Sequence, residues 1–297
     1  MRDIQIYASW CKGLPQDDKA IKILTKSGAI DGVETRGIDA EFDLLKEKIN
    51  VSLHNPKCMN LIGLDDANFI KTFSSNPSLA EHCEKSTPAT MGFHAGYAAI
   101  DEKETSLFEM KSNIVSNIEK LQGLITKKVI FESSVYNEKF SKRINGEVLA
   151  DSTGPAFLQY LLSKTSAGFL FDVAHNMVSG HTKIRNGFYM RSLEEYFDEI
   201  IEAVGDKTYQ MHLNVPTGKL SSGIDDAHLV LRSNDAMSRK VLSLAKTVID
   251  YAPNLAFITL EMGTGLAPQK HAEVMVKQAK RVKKALHIRR SRKANLI

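Results

Sequence analysis

The chain has 297 residues, 43% hydrophobic and 25% charged, which is enough apolar material for a large core and excludes a wholly disordered chain. Its formal net charge of +4 is concentrated toward the basic stretch from Lys277 to Lys293, so charge alone is a weak argument for a nucleic-acid partner. Three cysteines, Cys11, Cys58 and Cys83, are an odd number without CxxC spacing, which excludes a disulfide framework and a zinc ribbon and fits a reducing cytoplasm.

Apolar runs such as Ala167 to Phe171 and Leu255 to Leu260 fall far short of the ~20 residues of a membrane-spanning helix, so no membrane association is expected. Met1 to Gln5 lacks the apolar core of a secretory signal, which again suggests a cytoplasmic protein.

In chain order, strands are predicted at Ile4 to Ala8, Gly32 to Thr35, Asn50 to His54, Thr90 to Ala95, Lys128 to Ser133, Gly168 to Asp172, Thr208 to Leu213 and Phe257 to Glu261. Helical patterns lie between them: Asp17 to Ser27, Ile38 to Lys48, Thr105 to Leu124, Gly154 to Lys164, Ser192 to Val204, Ser233 to Tyr251 and, after the last strand, Lys270 to Ile288. The third connection also reads as helical, from Asp65 to about Ser74 and from Ser78 to Lys85. Ser192 followed by Glu195 is a capping box signature.

Strict alternation of strand and helix predicts a closed (β/α)8 TIM barrel spanning 1–288 as a single domain, followed by a basic tail over 289–297. No GxGxxG follows the first strand and no GxxxxGK[ST] occurs, so dinucleotide and P-loop chemistry lose their main support. Val135 to Thr153, Asn176 to Arg191 and Asn214 to Arg232 read as long loops on the catalytic face.

The strand ends carry the chemical signal. Glu34, His54, His94, Glu132, Asp172 with His175, His212 and Glu261 close the second to eighth strands, and a barrel aims such residues at one mouth. Packing so many ionisable groups together without a cation costs several kcal/mol, about the penalty of a poorly compensated buried charge. Mixed imidazole and carboxylate donors suit iron, zinc or manganese rather than a thiolate site. The loop after the seventh strand adds Asp225, Asp226 and His228, more donors than one ion uses, so two or three metal ions are expected. Four other histidines are less persuasive: His82, His271 and His287 read as surface residues, and His181, on the loop after the sixth strand, is within reach of the mouth but reads more readily as a loop residue than as a ligand. Cys11 and Cys58 read as small apolar residues.

The run Phe169-Leu170-Phe171-Asp172-Val173-Ala174-His175-Asn176-Met177-Val178-Ser179 resembles the strand-six signature of the multinuclear non-haem iron-dependent oxidase family, which includes the methanobactin biosynthesis oxidase. Glu132-Ser133-Ser134-Val135-Tyr136, Met211-His212-Leu213, Asp225-Asp226-Ala227-His228-Leu229 and Ile258-Thr259-Leu260-Glu261 follow in the family's order, and the resemblance runs from Glu34 to about Pro268.

It implies a xylose-isomerase-like barrel, two or three irons, and oxidation by oxygen of a peptide or small-molecule substrate, which a partner protein helps to present. The implied metal ligands are His54, His94, Glu132, Asp172, His175, His212, Asp226, His228 and Glu261. Position 175 is His where peptide-modifying members commonly carry Asn, Ser133 replaces an Asn, and Leu-Asn-Val-Pro follows His212 in place of a small-residue turn.

Asp172-Val-Ala-His175, His212-Leu-Asn214 and Asp226-Ala-His228 also resemble the zinc-dependent endonuclease-IV family, making phosphodiester hydrolysis the alternative. The basic tail lacks interleaved aromatics for stacking bases. A non-catalytic metal-binding barrel is the third reading.

Overall fold

The computed structural model describes residues 3–10, 18–35, 50–54, 61, 84, 88–95, 107–136 and 153–288. The helices expected at Ile38 to Lys48 and Asp65 to Ser74, nearly all of the helix expected at Ser78 to Lys85, His82, the three cysteines and the 289–297 tail lie outside them.

Eight parallel strands form the barrel wall: β1 Gln5–Trp10, β2 Gly32–Thr35, β3 Asn50–Leu53, β4 Thr90–His94, β5 Lys128–Glu132, β6 Gly168–Asp172, β7 Thr208–Leu213 and, as its eighth strand, β10 Phe257–Leu260. Their order is β3-β2-β1-β10-β7-β6-β5-β4, and the two ends meet through a parallel bridge between His54 and Gly92, which nearly closes the barrel. The helices are α1 Asp18–Lys26, α2 Leu107–Leu124, α3 Pro155–Lys164, α4 Val173–Arg185, α5 Leu193–Val204, α6 Ala236–Tyr251 and α7 Pro268–Ala285.

Strand side chains alternate, and the two parities have different tasks. Val129, Phe131, Phe169, Phe171, Met211, Leu213, Ile258 and Leu260 belong to the apolar core, where the strands are covered by helices. The opposite parity carries Gly92, Ile130, Leu170, Gln210 and Thr259, then, two residues later in each strand, His94, Glu132, Asp172, His212 and Glu261. A period of two thus stacks a polar layer above a mixed one.

Local chemistry fixes several helix starts. Ser192 and Glu195 form the expected capping box on α5. Asp235 accepts from the Ser238 backbone N–H and caps α6. Pro155 and Pro268 begin α3 and α7, where a missing N–H costs nothing.

Two expected loops contain regular structure. The 176–191 stretch is largely the second part of α4, because Asp172 caps that helix by accepting the His175 backbone N–H at 2.7 Å. The 214–232 stretch folds as an antiparallel hairpin, β8 Val215–Lys219 with β9 Gly223–Leu229. At its tip Gly218 has φ of 95°, and a Cβ there would stand 2.3 Å from the Gly223 carbonyl oxygen, so only glycine fits. Among the described residues no helix is long and apolar enough to cross a membrane.

Candidate metal centre

The polar layer converges at the C-terminal ends of the strands. Parallel register sets His94 beside Glu132 and Asp172 beside His212, while His54 follows β3 and is anchored by its N–H on the Thr35 carbonyl at 3.0 Å. His175 projects from the first turn of α4, and Asp226 and His228 come from β9 of the hairpin. His228 adopts φ of 48°, uncommon for a residue with a side chain, and is held there by the Gly263 N–H donating to its carbonyl at 2.8 Å.

These side chains fall into three donor groups around Glu132. His54 and His94 place their Nε2 atoms 3.1 and 3.0 Å from Glu132 Oε2. Glu132, Asp172, His212 and Glu261 form the central group, with His212 Nδ1 at 3.0 Å from Glu261 Oε2, 3.5 Å from Glu132 Oε1 and 3.8 Å from Asp172 Oδ2. Asp226 Oδ2 lies 3.0 Å from His228 Nε2 and 3.5 Å from His175 Nε2, completing the third. Within each group one donor atom per residue lies within 4.8 Å of the others. Two donors each about 2.1 Å from one ion stand no more than about 4.2 Å apart, so only small adjustments separate this arrangement from coordination.

Glu132, Asp172, His54 and His212 are buried, whereas the side chains of His94, Asp226 and His228 are 22%, 22% and 33% exposed. The outer groups therefore open to solvent while the central one is closed. Every residue of the implied ligand set lies in this assembly.

Electrostatics follow from that crowding. Burial opposes a charged imidazole, yet Glu34, Glu261 and Glu132 carry His212 well above the usual histidine range. His175 is raised in the same way, burial being outweighed by Asp172 and Glu132. Glu132 is held well below the usual carboxylate range despite its burial, because His175 and His212 face it. Asp172 is instead pushed up to about 6, burial prevailing over its histidine neighbours. His54 falls below the ordinary value through burial, which Glu132 offsets only in part.

Among the described residues, both carboxylate oxygens of Glu132, Nδ1 of His212 and Oδ1 of Asp226 are buried without a well-formed hydrogen bond, and these atoms of Glu132 and His212 meet only the ionisable groups of the same cluster. Such atoms are costly unless something satisfies them. Cations at the three groups do so, and the all N/O donor set suits zinc, iron or manganese. The residues thus fit the metal ions that the strand ends imply.

Other residues have different placements. Glu34 sits beneath the layer, bonded within the protein. His181 Nε2 bonds the Leu220 carbonyl at 2.8 Å, on the flank of the hairpin rather than in the donor groups. Asp225 is exposed and accepts from the Asp226 N–H. His271, expected at the surface, is partly buried, with Nδ1 2.8 Å from Thr264 Oγ1, because the chain leaving β10 folds back over the start of α7. His287 is exposed as expected. Asn214, quoted in the sequence only as the end of the His212-Leu-Asn214 segment and given no role there, donates its side-chain amide to Asp172 Oδ2 at 3.2 Å.

No family model and no curated protein matches the chain. Solved structures do. A xylose isomerase domain protein from Alicyclobacillus acidocaldarius superposes with a TM-score of 0.63 at 13% identity, covering 95% of this chain and 99% of that one. The fold is the xylose-isomerase-like TIM barrel. Endonuclease IV from Thermus thermophilus gives 0.59 at 14% identity, over 95% of this chain and 99% of that one. The IolI protein with a bound zinc atom gives 0.59 at 11% identity, over 95% and 98%. These identities establish the fold and leave activity to the site itself.

Proposed function

We propose that this chain is a multinuclear metal-dependent hydrolase that cleaves phosphate esters at the barrel mouth. The observation that carries this reading is the His175, Asp226 and His228 group standing beside the buried Glu132, Asp172, His212 and Glu261 group. Position 175 is one of three places where the chain departs from the peptide-modifying oxidases, and there the departing residue is a full member of a donor group. Asp172-Val-Ala-His175, like His212-Leu-Asn214 and Asp226-Ala-His228, resembles the endonuclease-IV family, and a solved endonuclease IV shares the barrel.

When bound, the ions would polarise phosphoryl oxygens and lower the pKa of a water nucleophile. The chain supplies the positions. Glu132 faces both the His54 and His94 pair and the central group, so it would help to hold ions in both. Asp172 is held by the His175 N–H on Oδ1 and by Asn214 on Oδ2, which fixes its plane. Hairpin β8 and β9 walls one side of the mouth and brings Asp226 and His228 to the solvent-facing edge, where a substrate arrives.

A second reading, the iron-dependent oxidase acting on a peptide or small molecule presented by a partner protein, is favoured by one observation. His54, His94 and Glu132, like His175, His228 and Asp226, are two histidines with one carboxylate, a donor pattern of non-haem iron sites.

The discriminating experiment loads chelator-stripped chain with zinc, manganese or, anaerobically, iron(II). Cleavage of bis(p-nitrophenyl) phosphate and of abasic DNA is measured alongside oxygen uptake. Hydrolysis that disappears in Asp172→Ala supports the proposal. Oxygen uptake with iron and no hydrolysis would transfer the assignment to the oxidase, and bound metal with neither activity to a binding protein.

A further inference from the structure

Beneath the donor groups lies a buried polar network that meets them through His212. His212 Nε2 is 3.0 Å from Glu34 Oε1, while the opposite ring nitrogen, Nδ1, faces Glu261, Glu132 and Asp172. Glu34 Oε2 accepts from the Gln210 side-chain amide and from the Thr259 hydroxyl, the latter at 3.2 Å. The same Gln210 amide donates to Thr259 Oγ1 at 3.1 Å. Glu34, Gln210, His212 and Thr259 are all fully buried or nearly so, and they come from β2, β7 and β10, across the barrel interior.

We propose that Glu34 is a positioning residue that holds the Nε2–H of His212 and thereby commits Nδ1 to the metal centre. This rests on reading the barrel mouth as a metal centre. A histidine ligand takes its tautomer and orientation from what its second nitrogen meets, and a carboxylate there strengthens the donor. The Gln210 amide nitrogen also approaches His212 Nε2, at 3.1 Å, but its two hydrogens have acceptors in Glu34 Oε2 and Thr259 Oγ1, and an amide nitrogen does not itself accept, which leaves the carboxylate as the acceptor for the ring N–H. Nδ1 is buried and, among the described residues, meets only the carboxylates of the central donor group, as a ligand atom turned toward an ion would.

The competing arrangement makes Glu34 a ligand, since one donor atom each from Glu34, His54 and His212 also lies within 4.8 Å of the others. It conflicts with the network. Oε2 already accepts from two donors and Oε1 faces His212, so binding an ion there would take from the buried ring N–H the acceptor it has among the described residues.

The test uses the full chain stripped with a chelator and titrated with zinc against a competing indicator. Glu34→Gln is expected to bind as many zinc ions at saturation as the wild type, with at least one of them about 10- to 100-fold weaker, the loss typical of an outer partner. Nitrogen-15 spectra of the zinc-loaded wild type are expected to show zinc on Nδ1 of His212 and a proton on Nε2. Unchanged zinc affinity in Glu34→Gln, loss of one whole zinc equivalent, or zinc on Nε2 would each overturn the assignment. A wild type that binds no zinc, manganese or iron would overturn the metal centre itself, an outcome distinct from the other three. If Glu34→Gln does not fold, the wild-type nitrogen spectra still decide.

Discussion

Gly92 and His54 meet at the seam that closes the barrel: a parallel bridge joins their backbones, and His54 Nδ1 lies 2.6 Å from where a Cβ on residue 92 would stand. The glycine is what leaves room for this imidazole beside β4. Gly92→Ala is therefore expected to push His54 away from Glu132 and His94. The same Cβ meets Leu170 Cδ1 at 3.2 Å, so overpacking adds a cost of about 1–3 kcal/mol. Metal analysis should show loss of about one ion per chain together with a lower Tm. Full metal content with an unchanged Tm would mean that the seam accommodates the methyl group.

His175 is the residue on which the third donor group depends. Its Nδ1 lies 3.1 Å from both Glu132 Oε1 and the Ser133 carbonyl, and its Nε2 faces Asp226. His175→Ala is expected to lose about one metal ion per chain while the others persist, and His175→Asn to recover part of it. Full occupancy in His175→Ala would show a histidine that only orients its neighbours.

How much of this was legible depends on what each signal measures. The barrel was readable because eight apolar runs alternate with helical patterns, and because parity places His94, Glu132, Asp172, His212 and Glu261 on one face at one height. Helix α4 was not. Asn176, Ser179, Gly180, His181 and Thr182 read as loop residues, yet Asn176 and Ser179 are buried and bonded, to the Asp172 carbonyl and from the Tyr136 N–H. Gly180 is packed so closely that a Cβ would stand 2.5 Å from Tyr196 Cδ1. Tertiary packing overrides propensity there.

The role of Glu34 was likewise hidden. A glutamate at a strand end looks the same whether it meets an ion or a histidine N–H, and only the placement of Gln210 and Thr259 across the barrel separates the two.

Stability of the metal-free chain should fall as pH rises. His228 is carried from 6.5 up to about 9: burial opposes the charge, but its bond to Asp226 and the field of Glu261 prevail. A histidine raised in the folded state contributes stability that is complete below about 6.5 and is lost as pH rises through about 9. His175 and His212, also raised, act in the same direction. Thermal melts from about pH 6.5 to 10 should therefore show a declining Tm without metal. With zinc the decline should be smaller, because ligands must lose protons to bind it. A metal-free Tm that is flat or rises over this range would contradict the charged-histidine network.

Metal content is the most direct test of the central claim. Elemental analysis of the full chain, reconstituted anaerobically and freed of excess ion, is expected to give about three ions per wild-type chain, one for each donor group sharing or flanking Glu132. Asp172→Ala and His212→Ala should lower bound metal at the central site by at least about tenfold, since losing a direct ligand costs no less affinity than the 10- to 100-fold typical of losing an outer partner. Less than one ion per wild-type chain with zinc, manganese and iron alike would show that these histidines and carboxylates satisfy one another, and that the mouth of this barrel is not a metal centre.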